Sequence, residues 1–242
     1  MLLFYIRHGD PIYAPDQLTP LGRRQAEAVA KRLALYGVDQ IYSSTSTRAY
    51  ETALPTSELL KKPITQLHWC IEHLAYMDFH LPYPKGEATT AWCWAIPEVR
   101  ELFLSEEVRA LGFHWYDHPA LSEHRDQFKG GMDRISKELY AFLAEHGYEH
   151  DGEHHCYRAI RPNDDRIALF AHEGFGKAFM SCLLDIPYPL YSTHFEMGHS
   201  GMTVIEFPNN MEKGIPLVLQ LSNDSHIYRE GLPTNYHNKI RF

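Results

Sequence analysis

The sequence predicts an α/β fold, a three-layer sandwich with a mostly parallel central sheet, helices on both faces and a cap insertion. Three observations predict it. Strand-like and helix-like segments alternate over residues 1–67 and again over 166–221. Leu2 to Ile6 is a continuous apolar run, as expected of a strand buried on both faces. The chain has 242 residues, 44% of them hydrophobic and 22% charged, enough for one large core and too ordered a composition for wholesale disorder.

Taken in order, Leu2 to Ile6 is the first strand. Thr19-Pro20 starts a helix, with Thr as N-cap and Pro at the first helical position. Ala26, Val29, Ala30 and Leu33 recur at helical spacing, and Gly37 ends the helix. Gln40 to Ser43 is a second strand. Ser46 to Leu60 is a second helix, which Pro55 is expected to end or kink. Ile64 to Leu67 is a third strand. Glu98 to Leu111 and Met132 to His146 read as helices, and Tyr148 to Asp165 as a long polar loop. Arg166 to Ala171 (strand), Gly174 to Leu184 (helix), Met202 to Phe207 (strand) and Pro216 to Leu221 (strand) resume the rhythm. The chain therefore reads as one domain, 1–242, with 68–160 as a cap or insertion.

Lys plus Arg number 23 against 31 Asp plus Glu, a net charge of −8. Such a balance disfavours nucleic-acid and anionic-membrane partners. Cys70, Cys93, Cys156 and Cys182 form no C-x-x-C pair, which indicates neither a zinc ribbon nor a redox motif. The N-terminal apolar run is too short for a signal peptide and no stretch is long enough to span a bilayer, so a cytoplasmic location is the default expectation. His150, His154, His155 and Cys156 carry ligand chemistry, but their hairpin-like surroundings fix no four-ligand geometry, and no metal is expected. Trp69, Trp92, Trp94, Phe113, Trp115 and Tyr116 either line a pocket or fill the core of the cap.

In open parallel sheets, ligands bind beyond the carboxyl ends of the strands. Arg7-His8-Gly9 follows the first strand, Ser44 to Arg48 the second, and His172-Glu173-Gly174 the strand at 166–171. Two arginines and two histidines at converging strand ends imply a cationic pocket suited to a phosphoryl group.

These residues, with Leu18-Thr19-Pro20-Leu21-Gly22-Arg23-Arg24-Gln25-Ala26, Ser43-Ser44 before Arg48-Ala49 and Thr52-Ala53, Ala171-His172-Glu173-Gly174, and Asn223-Asp224-Ser225-His226, resemble the histidine phosphatase superfamily, the phosphoglycerate-mutase-like family. The resemblance implies that His8 is the nucleophile and that Arg7, Arg48 and His172 bind the phosphoryl oxygens, His172 counting among the catalytic residues. It implies a general acid shortly after the third strand, and Glu72 is the nearest match, with Asp78, Glu87 and Asp10 as competitors. No cofactor is needed, because two guanidiniums and a second imidazole supply the charge. The implied activity is phosphomonoester hydrolysis through a phosphohistidine on a small phosphorylated substrate. The alternatives are a phosphoglycerate mutase and a non-catalytic phosphoanion-binding module. Ala14 stands where the family's mutases place a phosphate-contacting Asn, which weighs against the mutase. His194, His199 and His226 lie near late strand ends and could face the leaving group.

Overall fold

The computed structural model describes residues 1–82, 90–209 and 213–234. Strand β1 (Leu2–Arg7) leads into a small hairpin, β2 (Pro11–Tyr13) and β3 (Asp16–Leu18). Helix α1 (Pro20–Tyr36) starts where the Thr19 hydroxyl accepts the N–H of Gly22 (3.0 Å), and it stops at Gly37. Then come β4 (Gln40–Ser44), α2 (Thr47–Leu60) and β5 (Ile64–Leu67). Pro55 neither ends α2 nor divides it. Ala49, Thr52, Ala53 and Thr56 bury one face of α2 against α1 and the sheet, and that packing offsets the hydrogen bond that proline removes.

The segment between β5 and the next sheet strand holds α3 (Glu72–Phe79), β6 (His80–Leu81), β7 (Ala91–Trp92), α4 (Pro97–Phe103), α5 (Glu106–Leu111), α6 (Arg125–Glu145) and the hairpin β8 (Tyr148–Asp151) and β9 (Cys156–Ala159). Three sequence expectations change here. The helix expected over Glu98 to Leu111 is two, because Ser105 caps a new one through its Oγ, which accepts the N–H of Val108 (3.2 Å). The helix expected from Met132 begins at Arg125 and runs through Gly130 and Gly131. Much of the expected loop after Tyr148 is a hairpin, in which Asp151 Oδ1 accepts the N–H groups of Glu153 and His154 (both 3.2 Å) at the turn.

Strand β10 (Arg166–Ala171), α7 (Glu173–Leu184), α8 (Tyr188–His194), β11 (Met202–Glu206), β12 (Leu217–Asn223) and α9 (Ser225–Arg229) complete the chain. The six-stranded sheet has the order β12-β11-β1-β10-β4-β5. β1, β10, β4 and β5 are mutually parallel; β11 runs antiparallel to β1, and β12, antiparallel to β11, runs in the direction of the first four. Alternate residues of the central strands feed two cores. Phe4, Ile6, Ala168 and Phe170 meet Val29, Leu33 and Ala53 of α1 and α2. Leu3, Tyr5, Leu169 and Ala171 meet a larger core that takes in Phe175 and Phe179 of α7 together with Phe79, Phe103, Trp115 and Phe128 of the long segment. Trp115 and Tyr116 are buried there, whereas Phe113 is exposed and stacks on His155. No helix among the described residues is long and apolar enough to cross a membrane.

Helix α3 packs on α6 at Gly131, where an added Cβ would lie 2.5 Å from Asp78 Cβ and 3.0 Å from a Phe79 ring atom. Gly130, one residue earlier, has nothing within 4 Å. The two should therefore respond with opposite sign. Gly131→Ala should destabilise by about 1–3 kcal/mol through overpacking. Gly130→Ala should stabilise by about 0.4–1 kcal/mol through lower backbone entropy in the unfolded chain. Chemical denaturation of the two variants checks this; an equal effect at both sites would contradict the packing described.

Candidate active site

The ends of β1, β10 and β4 set the site. The His8 backbone N–H donates to the Ala171 carbonyl (2.9 Å), extending the ladder by one residue. Gly9 then passes so close to α1 that an added Cβ would stand 2.7 Å from the Gly22 carbonyl oxygen, so the glycines of both motifs allow the loop to lie against the helix start.

His8 is 2% exposed. Its Nδ1 lies 2.7 Å from the Gly9 carbonyl oxygen, an acceptor only, so Nδ1 carries the proton and Nε2 the lone pair. Arg48 Nε donates to that Nε2 (3.2 Å). Burial, and then His172, Arg7 and Arg48, hold the His8 pKa well below the ordinary imidazole value. The imidazole is thus neutral, with its basic nitrogen turned toward Arg48.

His172, N-cap of α7, is fully buried, its ring centre 5.2 Å from that of His8. Arg48 Nη2 donates to its Nδ1 (3.2 Å), so Nε2 carries the proton and meets Ser44 Oγ (2.8 Å). Burial lowers its pKa as well, with Arg48 and Arg7 adding to the effect. Arg48 spends its third nitrogen, Nη1, on Asp16 Oδ1 (2.7 Å) and lies over the Tyr13 ring (5.4 Å). The β2–β3 hairpin, which carries Ala14, therefore supplies the site with a carboxylate.

Arg7 is 5% exposed. Its Nη1 meets Glu173 Oε2 (2.7 Å) and the Met197 carbonyl, and its Nη2 meets His199 Nε2 (2.9 Å). Its buried Nε has no hydrogen-bond partner among the described residues. Glu72, at the start of α3, accepts the N–H groups of Gly174 (2.9 Å) and Phe175 (2.8 Å) in the first turn of α7. Burial raises its pKa above the ordinary carboxyl value, against the pull of those two N–H groups, Arg7 and Arg48.

A cleft of about 1150 Å³ opens over these groups. Arg7, His8, Arg48 and Glu72 line it, with Trp92, Trp94, Tyr76 and His194. His172 lies beneath, against Arg48 and His8. Trp92 and Trp94 stack on each other (4.6 Å), with the Tyr76 ring edge-on to Trp92 (5.5 Å) and Lys177 over Trp94 (5.2 Å), and together they form an aromatic wall.

The other named candidates fall elsewhere. Asp78 is bound by Arg134 (3.2 Å from Nε) and does not line the cleft, and Glu87 lies outside the described residues. Asp10 accepts from Thr19 Oγ1 (2.6 Å) and stands 3.7 Å from His199 Nδ1, behind Arg7. His226 is buried between Ser200 and Arg32, away from the cleft. His150 and His155 both face Asp185 (2.9 and 3.5 Å), while Cys156 is buried. Among the described residues, no group of three or more His, Cys, Asp or Glu could hold a metal ion.

One expectation is corrected. Strand-end arginines and histidines imply a cationic pocket, yet the lining holds Arg7, Arg48, Arg100 and Lys177 against Asp16, Glu72, Glu173 and Glu196, a balance of formal charge. The sequence does not announce Asp16 as the partner of Arg48, His199 as that of Arg7, or Lys177 as that of Glu173. Only the i, i+4 spacing of Glu173 and Lys177 on α7 offered a local signal.

Residues 3–74, which span Arg7, His8, Arg48 and Glu72, match the model of the histidine phosphatase superfamily (branch 1). A putative phosphoserine phosphatase 2 of Hydrogenobacter thermophilus is 30% identical over 151 residues, 58% of this chain and 64% of that protein. The mitochondrial serine/threonine-protein phosphatase Pgam5 of Drosophila melanogaster is 27% identical over 152 residues, 60% of this chain and 46% of that protein. The matches thus span less than two thirds of these relatives. Among solved structures, the phosphoserine phosphatase of Entamoeba histolytica in complex with 3-phosphoglyceric acid superposes with a TM-score of 0.57 at 20% identity, covering 93% of this chain and 98% of that one. A mycobacterial glucosyl-3-phosphoglycerate phosphatase complexed with VO3 gives 0.58 at 20% identity, covering 90% and 97%. The motif-bearing segment thus matches the histidine phosphatase superfamily in sequence, and the fold is shared with these solved structures along nearly the whole chain.

Proposed function

We propose that the protein hydrolyses phosphomonoesters through a phosphohistidine on His8. The observation that carries this reading is the state of His8: neutral, with Nδ1–H tied to the Gly9 carbonyl and the Nε2 lone pair facing the arginines of the cleft. An imidazole so held is a nucleophile without a separate base. Arg48 Nε and Nη2 would exchange the two histidine nitrogens for phosphoryl oxygens, and the Arg7 Nε, which has no acceptor among the described residues, would gain one. His172, released from Arg48, would face the same group.

In the first step Nε2 attacks phosphorus, the bond to the ester oxygen breaks, and protonated Glu72 gives its proton to that oxygen. In the second, the Glu72 carboxylate takes a proton from water. The resulting hydroxide attacks phosphorus, the N–P bond breaks, and inorganic phosphate leaves with His8 again neutral. We further propose that 68–160 acts as the cap, since Glu72, Tyr76, Trp92 and Trp94 from it line the cleft. Small phosphorylated compounds are the substrate class, in line with the phosphoserine and phosphoglycerate-type phosphatases it resembles. A mutase must bind a compact polyanion, and a cleft whose Arg7 and Arg48 already face Glu173 and Asp16, with Ala14 in its hairpin, favours the phosphatase.

Quenched turnover should trap a phosphoenzyme that is acid-labile and base-stable, with the phosphate mapped to His8. His8→Ala should abolish phosphate release from p-nitrophenyl phosphate while leaving the circular dichroism unchanged. A base-labile adduct, or turnover surviving in the variant, would sink the assignment.

The pH profile follows from the two shifts. With its pKa lowered, His8 stays neutral to well below the ordinary histidine range, and activity falls only when acid protonates it. With its pKa raised, Glu72 keeps its acid form above the ordinary carboxyl range, and kcat/KM should fall as pH rises through that pKa. The optimum should therefore lie on the acid side of neutrality. Glu72→Gln should slow hydrolysis of alkyl phosphates by roughly 10²–10⁴-fold, and p-nitrophenyl phosphate by less, because its leaving group needs little acid help. The alkaline fall should disappear in that variant; an unchanged profile points to another acid. Incubation with 3-phosphoglycerate and trace 2,3-bisphosphoglycerate should release free phosphate. Rapid isomerisation without phosphate release would favour the mutase.

A further inference from the structure

We propose that Glu173 is a counter-anion built into the phosphoryl site, which weakens the cleft's hold on inorganic phosphate and so speeds release of that product. The inference rests on the phosphatase reading and adds a determinant of product affinity to it. Glu173 opens α7 directly after His172, and its side chain is 12% exposed. An acidic residue in a first helical turn needs no special role. What sets this one apart is where the carboxylate goes. Oε2 lies 2.7 Å from Arg7 Nη1 and Oε1 3.6 Å from Lys177 Nζ, and the side chains of those two cations are 6% and 4% exposed.

Lys177 cannot serve as a mobile phosphate ligand in this arrangement. Its ammonium donates to the carbonyls of Ser192 (3.1 Å) and Phe195 (2.5 Å) and covers the Trp94 ring. The carboxylate therefore takes one full charge out of a three-group cluster that borders the cleft beside His8. Arg48 is compensated in parallel by Asp16 (2.7 Å). A phosphate dianion entering beside Arg7 meets a guanidinium already facing an anion, in surroundings where charges interact more strongly than in water.

A purely structural Glu173, needed only to orient Arg7, makes the opposite forecast: removing its charge would loosen Arg7 and weaken phosphate binding. Calorimetric titration of the full chain with inorganic phosphate, at pH 8 and fixed ionic strength, separates the two. Glu173→Gln, which keeps the size and loses the charge, should bind phosphate roughly tenfold tighter or more, about 1.4 kcal/mol. Lys177→Met, which leaves the carboxylate less compensated, should bind it more weakly than the wild type. Thermal melts confirm folding, and Glu173→Ser serves if the glutamine variant does not fold. Unchanged or weaker binding in the folded Glu173 variant overturns the proposal, as does failure of both wild type and variant to bind. The readout does not depend on turnover. A wild type that binds phosphate but forms no phosphohistidine defeats the catalytic reading alone, whereas an active enzyme whose Glu173→Gln variant binds no tighter defeats this inference alone.

Discussion

Because β10 runs parallel to both β1 and β4, with Ala171 opposite Arg7 and Phe170 opposite Ser43, three chain segments leave the sheet at one level. Everything in the cleft depends on that register. It sets His8 beside His172, brings Ser44 under the His172 ring, and starts α2 so that Arg48 reaches both imidazoles. A slip of one residue would turn Arg7 and Ala171 to the opposite faces of the sheet and send the two cores to the wrong sides. The strands β1 and β10 are buried on both faces, so every residue that such a slip displaced would have to be repacked in one core or the other.

The same burial that fixes the register makes the site an electrostatic problem. Arg7, Lys177 and the two histidines are buried, and Arg48 is half-buried beside them, where unpaired charge is costly. The histidines meet it by staying neutral. The cations meet it with carboxylates, Arg7 and Lys177 with Glu173, and Arg48 with Asp16. The Arg7 Nε is left over, a buried donor without an acceptor among the described residues, and such a group costs stability unless something occupies the cleft.

The architecture was legible where local chemistry decides it. Thr19, Pro20 and Gly37 bound α1, and the continuous apolar runs mark β1 and β10. It was illegible where tertiary contacts decide it. Pro55 sits inside an unbroken helix because its neighbours are packed on α1, and Gly130-Gly131 continues α6 because α3 lies against Gly131. In α3 itself only Ala75 and Phe79 are buried, too few apolar positions to announce a helix. The site divides along the same line. Arg7, His8, Arg48 and His172 follow strand ends and can be read from topology. Asp16 and His199 meet their partners across 32 and 192 residues, a pairing no local spacing encodes.

Attack by His8 on phosphorus requires one protonation state of its ring, and nitrogen-15 NMR of the imidazole measures that state directly. The ring should be neutral and protonated on Nδ1 between about pH 6 and 8, with titration displaced below the ordinary histidine pKa of about 6.5. A His8 that is an imidazolium in that range, or that carries its proton on Nε2, would contradict it, because the nitrogen facing the arginines would then have no lone pair to offer phosphorus.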